Sequence, residues 1–135
     1  MNQTTTHILL IDDDTHIHDA VRMILEPEGY HIDCCMTGPA GMAAMRQNPP
    51  DLLLLDIMLS SPSEGFHLAY EIRKDEKLKH VPIVVLSAIG QTMGMSFARE
   101  VGTEYLPVER FLEKPFDASA LREAVRQALT EGAHP

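Results

Sequence analysis

Tryptophan is absent from the 135-residue chain, aromatic residues make up 5% of it, and cysteine occurs only at the neighbouring positions Cys34 and Cys35. That scarcity excludes a disulfide framework, because adjacent cysteines strain any mutual bridge and their spacing matches no zinc motif. They read as packing residues of a strand in a reducing compartment. No apolar run approaches the roughly 18 residues that a membrane span needs. Met1 to His7 lacks the basic and apolar pattern of a signal peptide, so a cytoplasmic protein is the expectation. Basic residues are few, 11 Lys plus Arg against 20 Asp plus Glu, for a net charge of −9 with His neutral. Such a surface repels phosphate backbones, and no local basic patch offsets it, which argues against direct nucleic-acid binding.

The hydrophobic content, 44%, is that of an ordinary globular protein, and the length suits one domain with a single core, spanning about residues 7–131. His7 to Ile11 is a short apolar run closed by Asp12, Asp13 and Asp14, and Ile17, Val21, Ile24 and Leu25 follow at helical spacing. This predicts a strand, an acidic turn and a helix that Asp14 or Thr15 caps and Pro27 with Gly29 ends. Tyr30, Ile32, Cys34 and Met36 alternate as a second strand. A helix rich in Ala and Met is predicted from about Ala40 to Arg46, stopped by Asn48-Pro49-Pro50.

Leu52 to Leu55 is a third strand without polar alternation, as expected where a parallel sheet is covered on both faces. A helix from about Phe66 to Lys74, a fourth strand from Val81 to Leu86, and a helix from Gly90 to Glu100 weakened by Gly90 and Gly94 come next. Arg110 to Glu113 is a short fifth strand, and Asp117 to Glu131 an amphipathic helix with Leu121, Val125, Ala128 and Leu129 on one stripe. Strands alternating with helices predict an α/β sandwich built on a parallel sheet. Ligands of such sheets bind beyond the carboxyl ends of the strands.

At those ends stand Asp12 and Asp13 after the first strand, Asp56 after the third, Ser87 after the fourth and Lys114 after the fifth. Three convergent carboxylates repel one another unless a cation neutralises them, and Mg²⁺, held by carboxylates and water, leaves positions for phosphate oxygens. Lys114 and the Ser87 hydroxyl add a point charge and a donor, an inventory suited to phosphoryl transfer. Singly, the acidic turn could be a helix cap and Lys114-Pro115 a solvated strand end. Their placement at four strand ends on one edge sets that simpler reading aside. His16 and His18 suggest a metal site, but residues two apart on a helix do not face the same way, so they read as a solvated helix start. Met42, Met45, Met93 and Met95 read as fillers of core gaps.

The ordered motifs Ile-Leu-Leu-Ile-Asp12-Asp13-Asp14, Leu-Leu-Leu-Leu-Asp56, Val-Val-Leu-Ser87-Ala88 and Phe111-Leu-Glu-Lys114-Pro115-Phe116 resemble the receiver domains of two-component response regulators. The resemblance runs from Ile8 to about Leu129. It implies a doubly wound, flavodoxin-like (βα)5 fold with strand order 2-1-3-4-5. It further implies that Asp56 is the phosphoacceptor and that Asp12, Asp13, Asp56 and the backbone carbonyl of Met58 hold Mg²⁺. Ser87 would follow the phosphoryl group, Lys114 would be its cationic partner, and Phe111 would be the switch aromatic. A sensor histidine kinase or histidine phosphotransfer protein would be the donor. The expected protein is a signalling phosphoacceptor rather than an enzyme. With the last helix ending near Glu131, a stand-alone receiver acting on a downstream protein, or relaying phosphate onward, is expected.

Two other functions compete with that expectation. A haloacid-dehalogenase-type phosphatase using Asp12 and Asp14 fails because His16 stands where that motif wants Thr or Val, no cap is present and Asp56 would be idle. A receiver-like module that binds partners without phosphorylation would waste the acidic, hydroxyl and lysine set.

Some features depart from the family pattern. The loop after Asp56 has Ser60 in place of the usual proline, with Pro62 late and the turn glycine, Gly65, one residue further on. The stretch from Ser87 to Lys114 is several residues longer than usual, with residues 106–110 as the extra material. Tyr105 imitates the switch aromatic but is followed by Pro107-Val108 where Lys-Pro should come, so the register selects Phe111, which has no hydroxyl. Met58 and Ile89 occupy the positions two after Asp56 and Ser87, where their bulk hinders an attacking water without supplying an amide or carboxylate to orient it. Slow self-dephosphorylation is the predicted outcome. Release of labelled phosphate over seconds would contradict it.

Overall fold

The computed structural model describes residues 5–56, 62–87 and 110–132. Strands β1 (His7–Ile11), β2 (His31–Cys35), β3 (Leu52–Asp56), β4 (Ile83–Ser87) and β5 (Arg110–Glu113) form one sheet in the order β2-β1-β3-β4-β5, and every pairing is parallel. The helices among the described residues are α1 (Thr15–Leu25), α2 (Gly38–Gln47), α3 (Pro62–Lys74) and α4 (Ala118–Gly132), with a short 3-10 turn at Glu26–Glu28. The parallel α/β sandwich is the one the alternating pattern predicted, and its doubly wound, flavodoxin-like strand order is the one the resemblance to receiver domains implied. The further helix expected from Gly90 to Glu100 lies outside the described residues.

The unbroken apolar runs follow from burial on both faces of the sheet. Leu9, Ile11, Leu53, Leu55, Ile83 and Val85 pack with α2 and α3 through Met42, Met45, Leu68 and Ile72. Their neighbours Ile8, Leu10, Leu52, Leu54, Val84 and Leu86 point the other way, onto Val21 and Leu25 of α1 and Leu121 and Val125 of α4. All four leucines of β3 are fully buried. Each contributes about 1.5–3 kcal/mol relative to exposure, so the strand that carries Asp56 has little freedom to slide. β2, at the sheet edge, is half-solvated instead. Cys34 and Cys35 lean on opposite core clusters, and burial pushes both thiols above their ordinary pKa, as suits inert packing residues.

Several boundaries differ from the sequence reading. β4 begins at Ile83 rather than Val81 and includes Ser87. Pro82 has no N–H to give the ladder, although its carbonyl accepts the Leu53 N–H at 2.9 Å. The helix expected from about Phe66 begins at Pro62, so Gly65 lies within α3 and not in a turn. Proline is favoured at a first helical position because its missing N–H is not needed there. α2 starts two residues early, where Thr37 caps it through an Ala40 N–H to Oγ1 hydrogen bond of 3.2 Å. Asp117 caps α4, accepting the Ala120 N–H at 2.7 Å. Gly29, at φ 96°, takes the left-handed conformation that ends the segment after α1.

α2 approaches β1 most closely at Gly41, where a Cβ would lie 2.2 Å from Ile11 Cδ1 and 2.6 Å from its Cγ1. The substitution Gly41→Ala should therefore destabilise by about 1–3 kcal/mol through overpacking. In that background, Ile11→Val, which removes the nearer carbon, should recover part of the loss. Urea midpoints of the two single variants and the double variant check this coupling.

Candidate functional site

The carboxyl end of the sheet gathers the buried polar residues. Asp12, Asp56 and Ser87 are 0%, 4% and 6% exposed. Asp12 directly follows β1, and its N–H continues the ladder to the Cys35 carbonyl at 3.0 Å. Asp56 is the last residue of β3 and pairs in register with Leu86, placing Ser87 one residue beyond on the neighbouring strand. Ser87 pairs with Glu113, and the next residue, Lys114, donates its N–H to the Ser87 carbonyl at 2.9 Å. Lys114 is thus carried to the site by β5. Its peptide bond to Pro115 is cis.

Carboxylate oxygens of Asp12, Asp13 and Asp56 all lie within 4.8 Å of one another. Asp13 is exposed and opens the cluster to solvent, while the other two are buried. Lys114 Nζ sits 2.9 Å from Asp12 Oδ2 and 3.7 Å from Asp56 Oδ1, closer to the metal-type residue than to the expected phosphoacceptor. Asp12 Oδ1 accepts the Asp14 N–H at 2.9 Å. Both oxygens of Asp12 are therefore occupied. Among the described residues, three carboxylates face one ammonium, an excess of two formal negative charges. Like charges this close repel one another, most strongly between the buried Asp12 and Asp56, where solvent screens least. A divalent cation with oxygen preference matches both the excess charge and the all-oxygen donor set.

The acidic turn also shapes α1. Asp14 accepts the His16 N–H at 2.9 Å as the helix cap, and this bond holds its carboxyl below the usual pKa. His18 is more than a solvated helix residue: it is half-buried, and its Nε2 donates to the Asp12 carbonyl at 2.6 Å. The sequence offered no signal for this contact, which needs the turn to fold α1 back over Asp12. Phe111 lies half-buried on β5, opposite Val85, and packs on the α2–α3 side of the sheet. Met58 and Ile89, with Met93, Met95, Tyr105 and residues 106–109, lie outside the described residues.

A family model described as the response regulator receiver domain matches residues 8–126. The chain belongs to that family, whose members are signalling phosphoacceptors. It is 35% identical over 122 residues to the "DNA-binding dual master transcriptional regulator RpaA" of a Synechocystis species, covering 90% of this chain and 48% of that protein. It is 31% identical over 129 residues to the "Transcriptional regulatory protein CseB" of Streptomyces avermitilis, covering 96% of this chain and 51% of that one. The chain therefore spans about half the length of these relatives. The crystal structure of a putative response regulator from Chloroflexus aurantiacus superposes with a TM-score of 0.82 at 26% identity, covering 94% of this chain and 99% of that one. Among the described residues, no helix is long and apolar enough to cross a membrane.

The contacts of Lys114 imply a measurable cost. Replacing it by methionine strands two buried carboxylates, a change of about 3–5 kcal/mol for a broken buried pair. We expect Lys114→Met to lower the urea midpoint in metal-free buffer, and Asp56→Asn added to it to restore part of the loss.

Proposed function

We propose that Asp56 accepts a phosphoryl group from a sensor histidine kinase or histidine phosphotransfer protein in the cytoplasm, and that the modified site changes which protein this domain binds. The observation that carries this reading is the convergence of Asp12, Asp13 and Lys114 on a buried Asp56. A carboxylate oxygen of Asp56 attacks the donor's phosphorus in line. The P–N bond to the donor histidine breaks, its electron pair stays on the imidazole nitrogen, which takes up a proton, and an acyl phosphate remains on Asp56. Burial of β3 fixes the nucleophile, so little orientation has to be gained at the moment of transfer. Asp12, Asp13 and Asp56, with the Met58 carbonyl, would hold Mg²⁺, which when bound supplies charge neutralisation to the phosphate oxygens.

Lys114 then exchanges part of its hold on Asp12 for the new phosphoryl oxygens, and the Ser87 hydroxyl donates to another. Because Lys114 and Ser87 are joined through a backbone hydrogen bond between β5 and β4, movement at either is felt along the strand that carries Phe111. A shift in the populations of two arrangements of that face is the output. The chain's net charge of −9 favours a protein partner over direct nucleic-acid contact for this domain.

Incubation with a small-molecule phosphodonor and Mg²⁺ should yield one hydroxylamine-sensitive acyl phosphate per chain, absent from Asp56→Asn. Beryllium fluoride with Mg²⁺ should bind the native chain and not the variant. A chain that neither phosphorylates nor binds beryllium fluoride, yet still engages its partner, would belong to the phosphorylation-independent class.

A further inference from the structure

The opposite end of the sheet carries a second cluster of donor groups that phosphoryl transfer does not use. His7, at the start of β1, pairs in register with His31, at the start of β2, so both side chains stand on the same face. Asp33, two residues along β2, shares that face. His7 Nε2 lies 2.7 Å from Asp33 Oδ2, and His31 Nε2 lies 3.4 Å from Asp33 Oδ1. One ligand atom from each of the three falls within 4.8 Å of the others. We propose that His7, His31 and Asp33 form a binding site for a borderline transition-metal ion of the Zn²⁺ class, distinct from the acidic Mg²⁺ pocket.

The spacing suits such an ion. Nitrogen and oxygen ligands each about 2.0–2.2 Å from a tetrahedral Zn²⁺ stand about 3.3–3.5 Å apart. The His31–Asp33 separation meets this already, and the His7–Asp33 pair must widen by about 0.6 Å as the metal replaces the shared proton. The backbone that carries the ligands is fixed. His7 donates its N–H to Asp51 Oδ2 and accepts the Asp51 N–H, both at 2.7 Å, and His31 donates its N–H to the Thr6 carbonyl at 2.9 Å. Two rigid strands thus present the donors, rather than a flexible tail.

The donor set also selects the metal. Two imidazoles and one carboxylate favour Zn²⁺, Cu²⁺, Ni²⁺ or Co²⁺ over Mg²⁺, which prefers oxygen and keeps its water. Access is open from solvent: the His31 and Asp33 side chains are 61% and 52% exposed, while the His7 ring, at 16%, anchors the base of the site. Beside them a cavity of about 320 Å³, bordered by His7, Asp33, Cys35 and Asn48, leaves room for a water ligand. His7 stands five residues before Asp12, about 16 Å along the strand, so the two cation sites cannot share an ion.

Zn²⁺ binding by untagged protein, measured by calorimetry in saturating millimolar Mg²⁺, tests the assignment. One Zn²⁺ per chain is expected, with Co²⁺ in its place giving the visible absorption of a four-coordinate nitrogen and oxygen site. His31→Ala and Asp33→Asn should each weaken Zn²⁺ binding by at least about tenfold, since loss of even a supporting group costs about 10–100-fold. Far-UV circular dichroism and phosphorylation of Asp56 should stay unchanged in both variants, because these side chains are largely exposed at the far end of the sheet. Absence of Zn²⁺ binding in excess Mg²⁺ would overturn the proposal. Binding that survives both substitutions, or that is lost in Asp13→Asn instead, would do the same.

Discussion

Two carboxylates are held almost out of water at the tips of β1 and β3, with a single lysine between them, and the rest of the structure is arranged around that constraint. Asp12 and Asp56 can stay buried because Lys114 lies against both and the Asp14 N–H takes the remaining oxygen of Asp12. The arrangement is nonetheless incomplete in charge. It is stable enough to persist and unbalanced enough to suit a hard cation. A site that was fully neutralised by its own side chains would have little reason to bind one.

Parallel topology makes this crowding possible. Every strand runs the same way, so every carboxyl end faces one edge, and the β2-β1-β3-β4-β5 order puts the strands bearing Asp12 and Asp56 side by side. Covering both faces with helices frees the strand ends from the duty of closing the core. The polar residues at that edge can then be chosen for chemistry. The same topology gathers the strand beginnings at the other edge, which is how His7 and His31 come to lie abreast.

Much of this was readable in the residues. The unbroken leucines of β3 announced a central strand, and Asp12, Asp13, Asp56, Ser87 and Lys114 stood out because each lay at or just past the end of a predicted strand. What stayed hidden depended on partners distant in the chain or on local turn geometry. The early start of α3 turned on whether Pro62 opens a helix or merely interrupts a loop, and periodicity cannot separate the two without apolar residues at the right spacing. The contact of His18 with the Asp12 carbonyl, and the closeness of Lys114 to Asp12 rather than Asp56, are matters of ångströms that no spacing encodes. The His7, His31 and Asp33 group was invisible for a different reason: until β1 and β2 are paired in register, those residues are merely 24 and 26 positions apart.

The tight seat of Gly41 on Ile11 reaches further than local packing. Ile11 is the residue immediately before Asp12, so the depth at which α2 settles on the sheet also sets where the acidic pocket begins. Among kindred chains, a larger residue at the position of Gly41 should travel with a smaller one at the position of Ile11. The geometry of the acidic pocket would then be inherited through a pair of residues that carry none of its charge.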